Sequence, residues 1–340
     1  MSGADAKRAM SSNPTVSVVL SVRNGGTDLP QALDTILKQS FGDFELIAIN
    51  NGSTDGTREC LDQIVDPRVR VYHQEDMGLA AALNRGISLA RGRYIARQDH
   101  DDLADPSRIA KQVAFLDAHP DHALVGTRAQ IWVGDAPSGR FHDHPTEDDI
   151  LRFDLLLNNP FVHSSVMIRK TALDRVGGYT SDPARQPPED YELWSRIARR
   201  YRVANLGERL TVYREVPSSM SRAGANPFLE KLVIISSENL AYAVESASPL
   251  QVHVDIAALI HGAQARVSPM PDLRGMCAVI AEAGRRIGGG QPGPELVQRV
   301  ASAQMQIRHR LMLRHPALDL ARRAARAVRG RLRRLMPITR

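Results

Sequence analysis

Hydrophobic and polar positions change period several times along the chain, and each change marks an element. V-S-V-V-L-S-V (Val16 to Val22) is continuous and β-branched, the pattern of a strand covered on both faces. Asn24-Gly25-Gly26 interrupts it. From Leu29 to Gln39 the apolar residues Leu29, Ala32, Leu33, Ile36 and Leu37 then share one helical face. F-E-L-I-A-I-N (Phe44 to Asn50) predicts a second buried strand, closed by the turn-rich N-G-S-T-D-G, where Asp55 is placed to cap a helix running to about Val65. Val69 to Tyr72, Gly78 to Ala90, Arg93 to Gln98 and Asp105 to Leu116 continue as strand, small-residue helix, strand and helix. This alternation predicts an α/β fold with a doubly wound, mostly parallel sheet flanked by helices, whose ligands sit at the carboxyl ends of the strands. Polar clusters after Asn50 and after Gln98 occupy two such ends.

Further on the pattern mixes strands (Ala123 to Val133, Ser165 to Arg169, Leu210 to Arg214) with helices (Asp149 to Leu157, Glu189 to Arg200). Gly134 to His144 and Thr180 to Pro188 read as loops. Beyond Asn226 the pattern is helical, broken by G-G-G-Q-P-G-P (Gly288 to Pro294). The expected organisation is a flexible N-terminus (1–13), a catalytic body (14–225, its halves meeting near residue 120) and a helical extension (226–340).

Composition changes this picture little, but charge does. With 43% hydrophobic and 24% charged residues in 340, the chain is composed like a globular protein. Cys60 and Cys277 are far apart and form no zinc spacing, which fits a reducing cytosol. The first residues have no apolar core of a secretion signal, and no apolar run is long enough to span a bilayer, so a soluble or peripheral protein is expected. The net charge is +6, yet Arg308 to Arg340 contains eleven arginines and one acid, Asp319, giving +10 and leaving −4 for the rest. In that segment Leu318, Ala321, Ala325, Val328, Leu332 and Leu335 recur at helical spacing beside Arg322, Arg326, Arg329 and Arg333. A basic amphipathic helix suits an anionic membrane surface, and equally a helix packed on the body with a solvated arginine face. Nucleic acid ranks last, because no aromatic residue interleaves with the arginines.

Asp99-His100-Asp101-Asp102 puts three carboxylates within four residues at a strand end. They repel one another unless neutralised, and a hard cation such as Mg²⁺ or Mn²⁺ bridging to substrate phosphates would do so. A solvated acidic turn is the plainer alternative. The surrounding run A-R-G-R-Y-I-A-R-Q-D-H-D-D-L-A-D-P-S-R-I-A-K-Q-V resembles the D-x-D region of family 2 glycosyltransferases. V-S-V-V-L-S-V-R-N-G and F-E-L-I-A-I-N-N-G-S-T-D-G-T resemble that family's nucleotide-binding segments, and N-P-F-V-H-S-S-V-M-I-R-K, G-G-Y and P-P-E-D-Y-E-L-W-S-R-I-A its acceptor-side segments. The likeness runs in order over residues 14 to 221.

The resemblance implies a GT-A fold, a metal-bound nucleotide diphosphate sugar with uridine as the favoured base, and inversion at the anomeric carbon. Ser21, Arg23, Asn24, Asn50, Asn51, Ser53, Asp55 and Asp99 are then expected on the donor side, Asp101 with Asp99 on the metal, and Asp190 as general base. His163, Glu189 and Trp194 are expected on the acceptor side, although His163 could equally be a structural histidine, and Trp194 falls on the Leu193/Ile197 side of its helix, which favours a core residue over a sugar-stacking platform. A glycan or lipid-linked acceptor is expected, and the basic amphipathic segment would then place a cytoplasmic enzyme on the inner face of the cytoplasmic membrane, where lipid-linked acceptors are found. Three positions depart from the family pattern: Asn50 and Asn51 stand where Asp is common, His100 replaces a small residue, and Val216 stands where some relatives have a metal-assisting His. The rival of another class is a catalytically silent, membrane-associated nucleotide-sugar-binding protein of the same fold.

Overall fold

The computed structural model describes residues 13–215 and 227–314. The expected strand–helix alternation forms one side of a mixed nine-stranded sheet of order β3-β2-β1-β4-β8-β6-β9-β5, with β7 paired to β6. β1 (Val16–Val22), β2 (Phe44–Asn51), β3 (Val69–Gln74) and β4 (Tyr94–Gln98) are mutually parallel. β8 (Met167–Arg169) runs antiparallel to both β4 and β6 (His122–Val133), and β9 (Arg202–Glu215) runs parallel to β6. β5 (Leu103–Ala104) and β7 (Ala136–His142) pair antiparallel with β9 and β6.

The continuous apolar runs of β1 and β2 are buried at every position, as strands covered on both faces require. Val16, Val18, Leu20 and Val22 join Leu29, Leu33 and Ile36 of α1 (Leu29–Leu37) in one core cluster. The same cluster takes in Ile109, Val113 and Leu116 of α4 (Arg108–Ala118). Val19 points to the other face, against α3 (Leu79–Leu89). There a Cβ on Gly86 would stand 2.5 Å from Val19 Cγ1, so only glycine allows the helix this close.

The structure corrects several local expectations. α2 spans only Thr57–Asp62, and Gly56 rather than Asp55 stands at its N-cap. Asp55 instead closes a turn onto Thr57 and reaches across to the Gly26 N–H at 3.1 Å. The stretch read as a loop after Gly134 is mostly strand β7. Its residues are largely exposed, so no buried alternation announced it. β9 is 14 residues long where only its last third was legible. The remaining helices of this part are α5 (Asp148–Asp154), α6 (Lys170–Val176) and α7 (Glu189–Ala198), with a 3-10 turn at His163–Ser165. The 180–188 segment contains cis peptide bonds before Pro187 and Pro188.

The chain divides into two compact units, parting between Lys231 and Leu232. α8 (Leu229–Ala243) begins just before that point. The second unit holds α9 (Gln251–His261), α10 (Leu273–Ile287) and α11 (Pro294–Leu313), the last two joined by a loop in which Gly289 and Gly290 have positive φ. Among the described residues no helix is long and apolar enough to cross a membrane. Val216 and the basic amphipathic stretch from Leu318 to Leu335 lie outside the described residues.

Candidate active site

Three loops leave the carboxyl ends of β1, β2 and β3 and are tied to one another by short polar side chains. Asn24, in the left-handed region at φ 55°, accepts the Thr54 N–H at 2.8 Å and donates its own N–H to Ser53 Oγ at 2.9 Å. The Gly25 N–H goes to Thr57 Oγ1. Asn50 accepts the Ser53 N–H and donates to His73, while Asn51 accepts from Gln74 and from the Met77 N–H and donates to Asp76. Both asparagines are buried, at 4% and 3% exposure. Their amides brace the loops at the carboxyl end of β2, on the side where donor contacts are expected. Asp76, which the sequence reading passed over, joins Arg23 by an ion pair of 2.9 Å to Asn51 and to the Gly78 N–H. Its signal was its place after β3, in E-D-M-G between strand and helix. Ser21, one residue before the end of β1, is buried, and Arg23 and Asp55 lie at the exposed rim.

The acidic turn after β4 is divided by environment. Asp99 loses solvation, but the buried Arg97 guanidinium bonded to it holds its carboxyl below the usual range. Asp101 is pushed up, first by burial and then by the Asp99 charge. Asp102 is fully buried and pushed up further, by burial and by both neighbours. It is a scaffold: it accepts the Ser164 hydroxyl and the Arg214 N–H at 2.8 Å, fastening the acidic turn to the 3-10 turn and to the end of β9. Arg108 of α4, also fully buried, donates to the Ser164 carbonyl, and burial lowers its guanidinium to about 10. The Arg214 side chain reaches back to Asp28 and Gln31 of the first half.

Across from this turn, α7 begins with Glu189 and Asp190. Burial and the Glu189 charge lift the Asp190 carboxyl to about 7, against hydrogen bonds from the Tyr191 N–H (2.7 Å) and Asn159 Nδ2 (2.8 Å). Glu189, 6% exposed, is raised by burial and feels Arg97, Asp99 and Lys231. His163 Nε2 meets the Tyr179 hydroxyl at 2.8 Å. Burial, then Arg97, lowers His163 to about 3, so its ring is neutral at physiological pH. Trp194 is fully buried and meets His163 and Tyr179 edge-on. This burial agrees with the core reading of Trp194, whose ring backs His163. The electrostatic neighbourhoods of Asp99, His163, Tyr179, Glu189 and Asp190 overlap, so the structure gathers them into one site. Arg97, Tyr179, Asn159 and Arg214 were not singled out from the sequence: Arg97 sits inside a buried strand where a charge is unexpected, and the partners of the other three lie far off in the chain.

Among the described residues no three His, Cys, Asp or Glu side chains are gathered to hold a metal ion. The residues still fit a hard cation of the kind that takes one or two carboxylates and completes its shell with water and phosphate. The Asp101 carboxyl, raised beside Asp99, carries the uncompensated charge that such an ion would relieve.

Comparison with known proteins agrees with this geometry. The model of Glycosyl transferase family 2 matches residues 17–177. EpsE of Bacillus subtilis is 33% identical over 232 residues, covering 66% of this chain and 82% of that protein. The O-antigen biosynthesis glycosyltransferase WbnJ of Escherichia coli is 31% identical over 207 residues, covering 58% and 79%. Among solved structures, S. aureus TarS 1-349 in complex with UDP-GlcNAc superposes with a TM-score of 0.59 at 14% identity, covering 92% of each chain. The mannosyltransferase PcManGT of Pyrobaculum calidifontis, in complex with GDP-Man and Mn²⁺, gives 0.50 at 18% identity, covering 94% of this chain and 81% of that one. These neighbours have the GT-A fold, as does this chain. A parallel half-sheet ending in an acidic turn, together with this level of identity over most of the length of both relatives, makes the chain a member of glycosyl transferase family 2.

Proposed function

We propose that the protein is a metal-dependent, inverting glycosyltransferase that moves a sugar from a nucleotide diphosphate sugar, with UDP favoured, to a hydroxyl of a glycan or lipid-linked acceptor. The observation that carries this reading is Asp190. It is a carboxylate at the first turn of α7, held by two hydrogen bonds, lifted to about 7 and within electrostatic reach of Asp99. A group with that pKa is matched to accepting a proton near neutral pH. Inversion is a single displacement. The acceptor oxygen forms a bond to the anomeric carbon while the bond to the diphosphate breaks from the opposite side. The hydroxyl proton passes to the Asp190 carboxylate, and the nucleoside diphosphate leaves with the bonding electrons.

The other residues have positional roles in this reading. The laced loops of β1 to β3 present the nucleotide, and Asp99, kept ionised by Arg97, faces the ribose. The neutral His163, set by Tyr179 and Trp194, offers hydrogen bonds without adding charge beside the acids. Asp101 and Asp99 would hold Mn²⁺ or Mg²⁺, which when bound stabilises charge on the diphosphate. WbnJ's role in O-antigen biosynthesis supports assembly of a bacterial surface polysaccharide or glycolipid as the setting. There the arginine-rich end of the chain would hold the enzyme on the inner face of the cytoplasmic membrane.

The test is release of nucleoside diphosphate from a panel of nucleotide sugars, with and without Mn²⁺, by wild type and Asp190→Asn. Metal-dependent hydrolysis or transfer from one donor, reduced roughly 10²- to 10⁴-fold in the variant, is the expected result. Neither turnover nor metal-dependent donor binding would sink the reading in favour of a silent binding protein.

A further inference from the structure

Asn159 stands in the turn between α5 and the 3-10 turn, and its amide is held in one orientation. Its Oδ1 accepts the Phe161 N–H at 3.1 Å, so its Nδ2 must face the other way, and there it donates to Asp190 Oδ2 at 2.8 Å. The turn is itself braced. The Asn158 N–H bonds the Asp154 carbonyl at 2.8 Å, and the buried Asn205 amide holds the carbonyls of Pro160 (3.1 Å) and Pro145 (2.9 Å). The Tyr191 hydroxyl bonds the Leu155 carbonyl at 2.9 Å, a second tie between this segment and α7. Asp190 Oδ1 accepts the Tyr191 N–H, so each carboxylate oxygen has one site engaged by protein and one left.

We propose that Asn159 is a positioning residue that aims the Asp190 carboxylate and favours its ionised form. This rests on Asp190 being the base of the proposed reaction. The groups facing Asp190 mostly oppose ionisation: Glu189 on its own helix, Asp99 from the turn after β4, and burial itself. Tyr179 and His163 on the neighbouring segments are neutral. The nearby cations, Arg97 and Lys231, act on Glu189. The two hydrogen bonds work the other way, and of these the Asn159 bond is the one a substitution removes. Without it the carboxyl holds its proton to higher pH. Asn159→Asp is near-isosteric and still accepts the Phe161 N–H, but it sets a second carboxylate against the first.

The experiment is a carbon-13 NMR titration of the Asp190 carboxyl in the full chain without substrate, the signal being assigned by its loss in Asp190→Asn. It is run on wild type, Asn159→Ala and Asn159→Asp, with thermal unfolding as the check of folding. Both variants should raise the midpoint, by on the order of one pH unit for Ala and more for Asp. In transfer assays the acid limb of kcat should move up equally. About tenfold would then be lost at pH 6 and largely recovered at pH 9, with donor KM unchanged. If Ala does not fold, Asp carries the test. An unmoved midpoint, or activity lost equally at every pH, overturns the role of Asn159. A wild type without turnover overturns the proposed reaction, while the titration still decides whether Asn159 controls Asp190.

Discussion

At the scale of the residue, the site works by giving similar carboxylates different surroundings. Asp99 has a cation bonded to it, Asp102 has a hydroxyl and a backbone N–H, and Asp190 has two N–H donors but a carboxylate beside it. The last arrangement costs stability, and the sign follows from linkage. The folded-state pKa of Asp190 lies above its unfolded value. The native state therefore binds this proton more tightly than the unfolded chain does, and the penalty grows as pH rises from about 4 to about 7. Asp190→Asn should unfold at a higher temperature than wild type at pH 8, by the equivalent of roughly 1–2 kcal/mol, with the difference closing below pH 4. Calorimetry across that range checks it, and an equal difference at all pH values would mean that the gain is unrelated to ionisation. Glu45 has the opposite sign. Burial opposes its charge, but Arg91, Ser17 and Arg70 hold its carboxyl down, so its contribution is present at neutral pH and lost on acidification through its lowered pKa.

At the scale of the element, glycines allow the close approaches on which the loops depend. Gly52 has φ 74°, and a Cβ there would lie 2.6 Å from the Asp76 backbone nitrogen. Gly52→Ala should cost about 1–2 kcal/mol of stability and push the second and third loops apart. Donor affinity should fall several-fold more than it does for a substitution at Gly56, where a Cβ meets nothing within 4 Å. This scale also shows what was legible in advance. β1 and β2 could be read because both faces are buried, and the acidic turn could be read because it follows such a strand. β7 could not, since its residues face solvent, and β9 could not at its start, because N-L-G-E-R interrupts the apolar pattern where the register shifts. The site was legible as a set of motifs, but its internal wiring was not. The partners of Asn51, for example, stand 23 to 26 positions away, beyond the reach of a local motif.

At the scale of the whole molecule, Asp102 and Arg214 tie distant parts of the first unit together. The acidic turn after β4 is fastened to β9, and β9 in turn is fastened to the start of α1. In the proposed function the arginine-rich segment holds the enzyme at a membrane and takes no part in the reaction. Removing residues 315–340 should abolish co-sedimentation with vesicles rich in anionic lipid while leaving donor hydrolysis within twofold of wild type, and retained sedimentation would assign membrane contact elsewhere. The laced loops have a further consequence, in time rather than in energy. The backbone amides of Asn24, Gly25, Gly26, Ser53, Thr54, Met77 and Gly78 each donate to a side-chain oxygen, although none lies in the interior of a helix or strand. Such amides should trade their protons for deuterium slowly in the ligand-free protein, at rates closer to those of a sheet than of a loop. Adding a nucleotide should slow them little further, the signature of a rim whose order precedes its ligand.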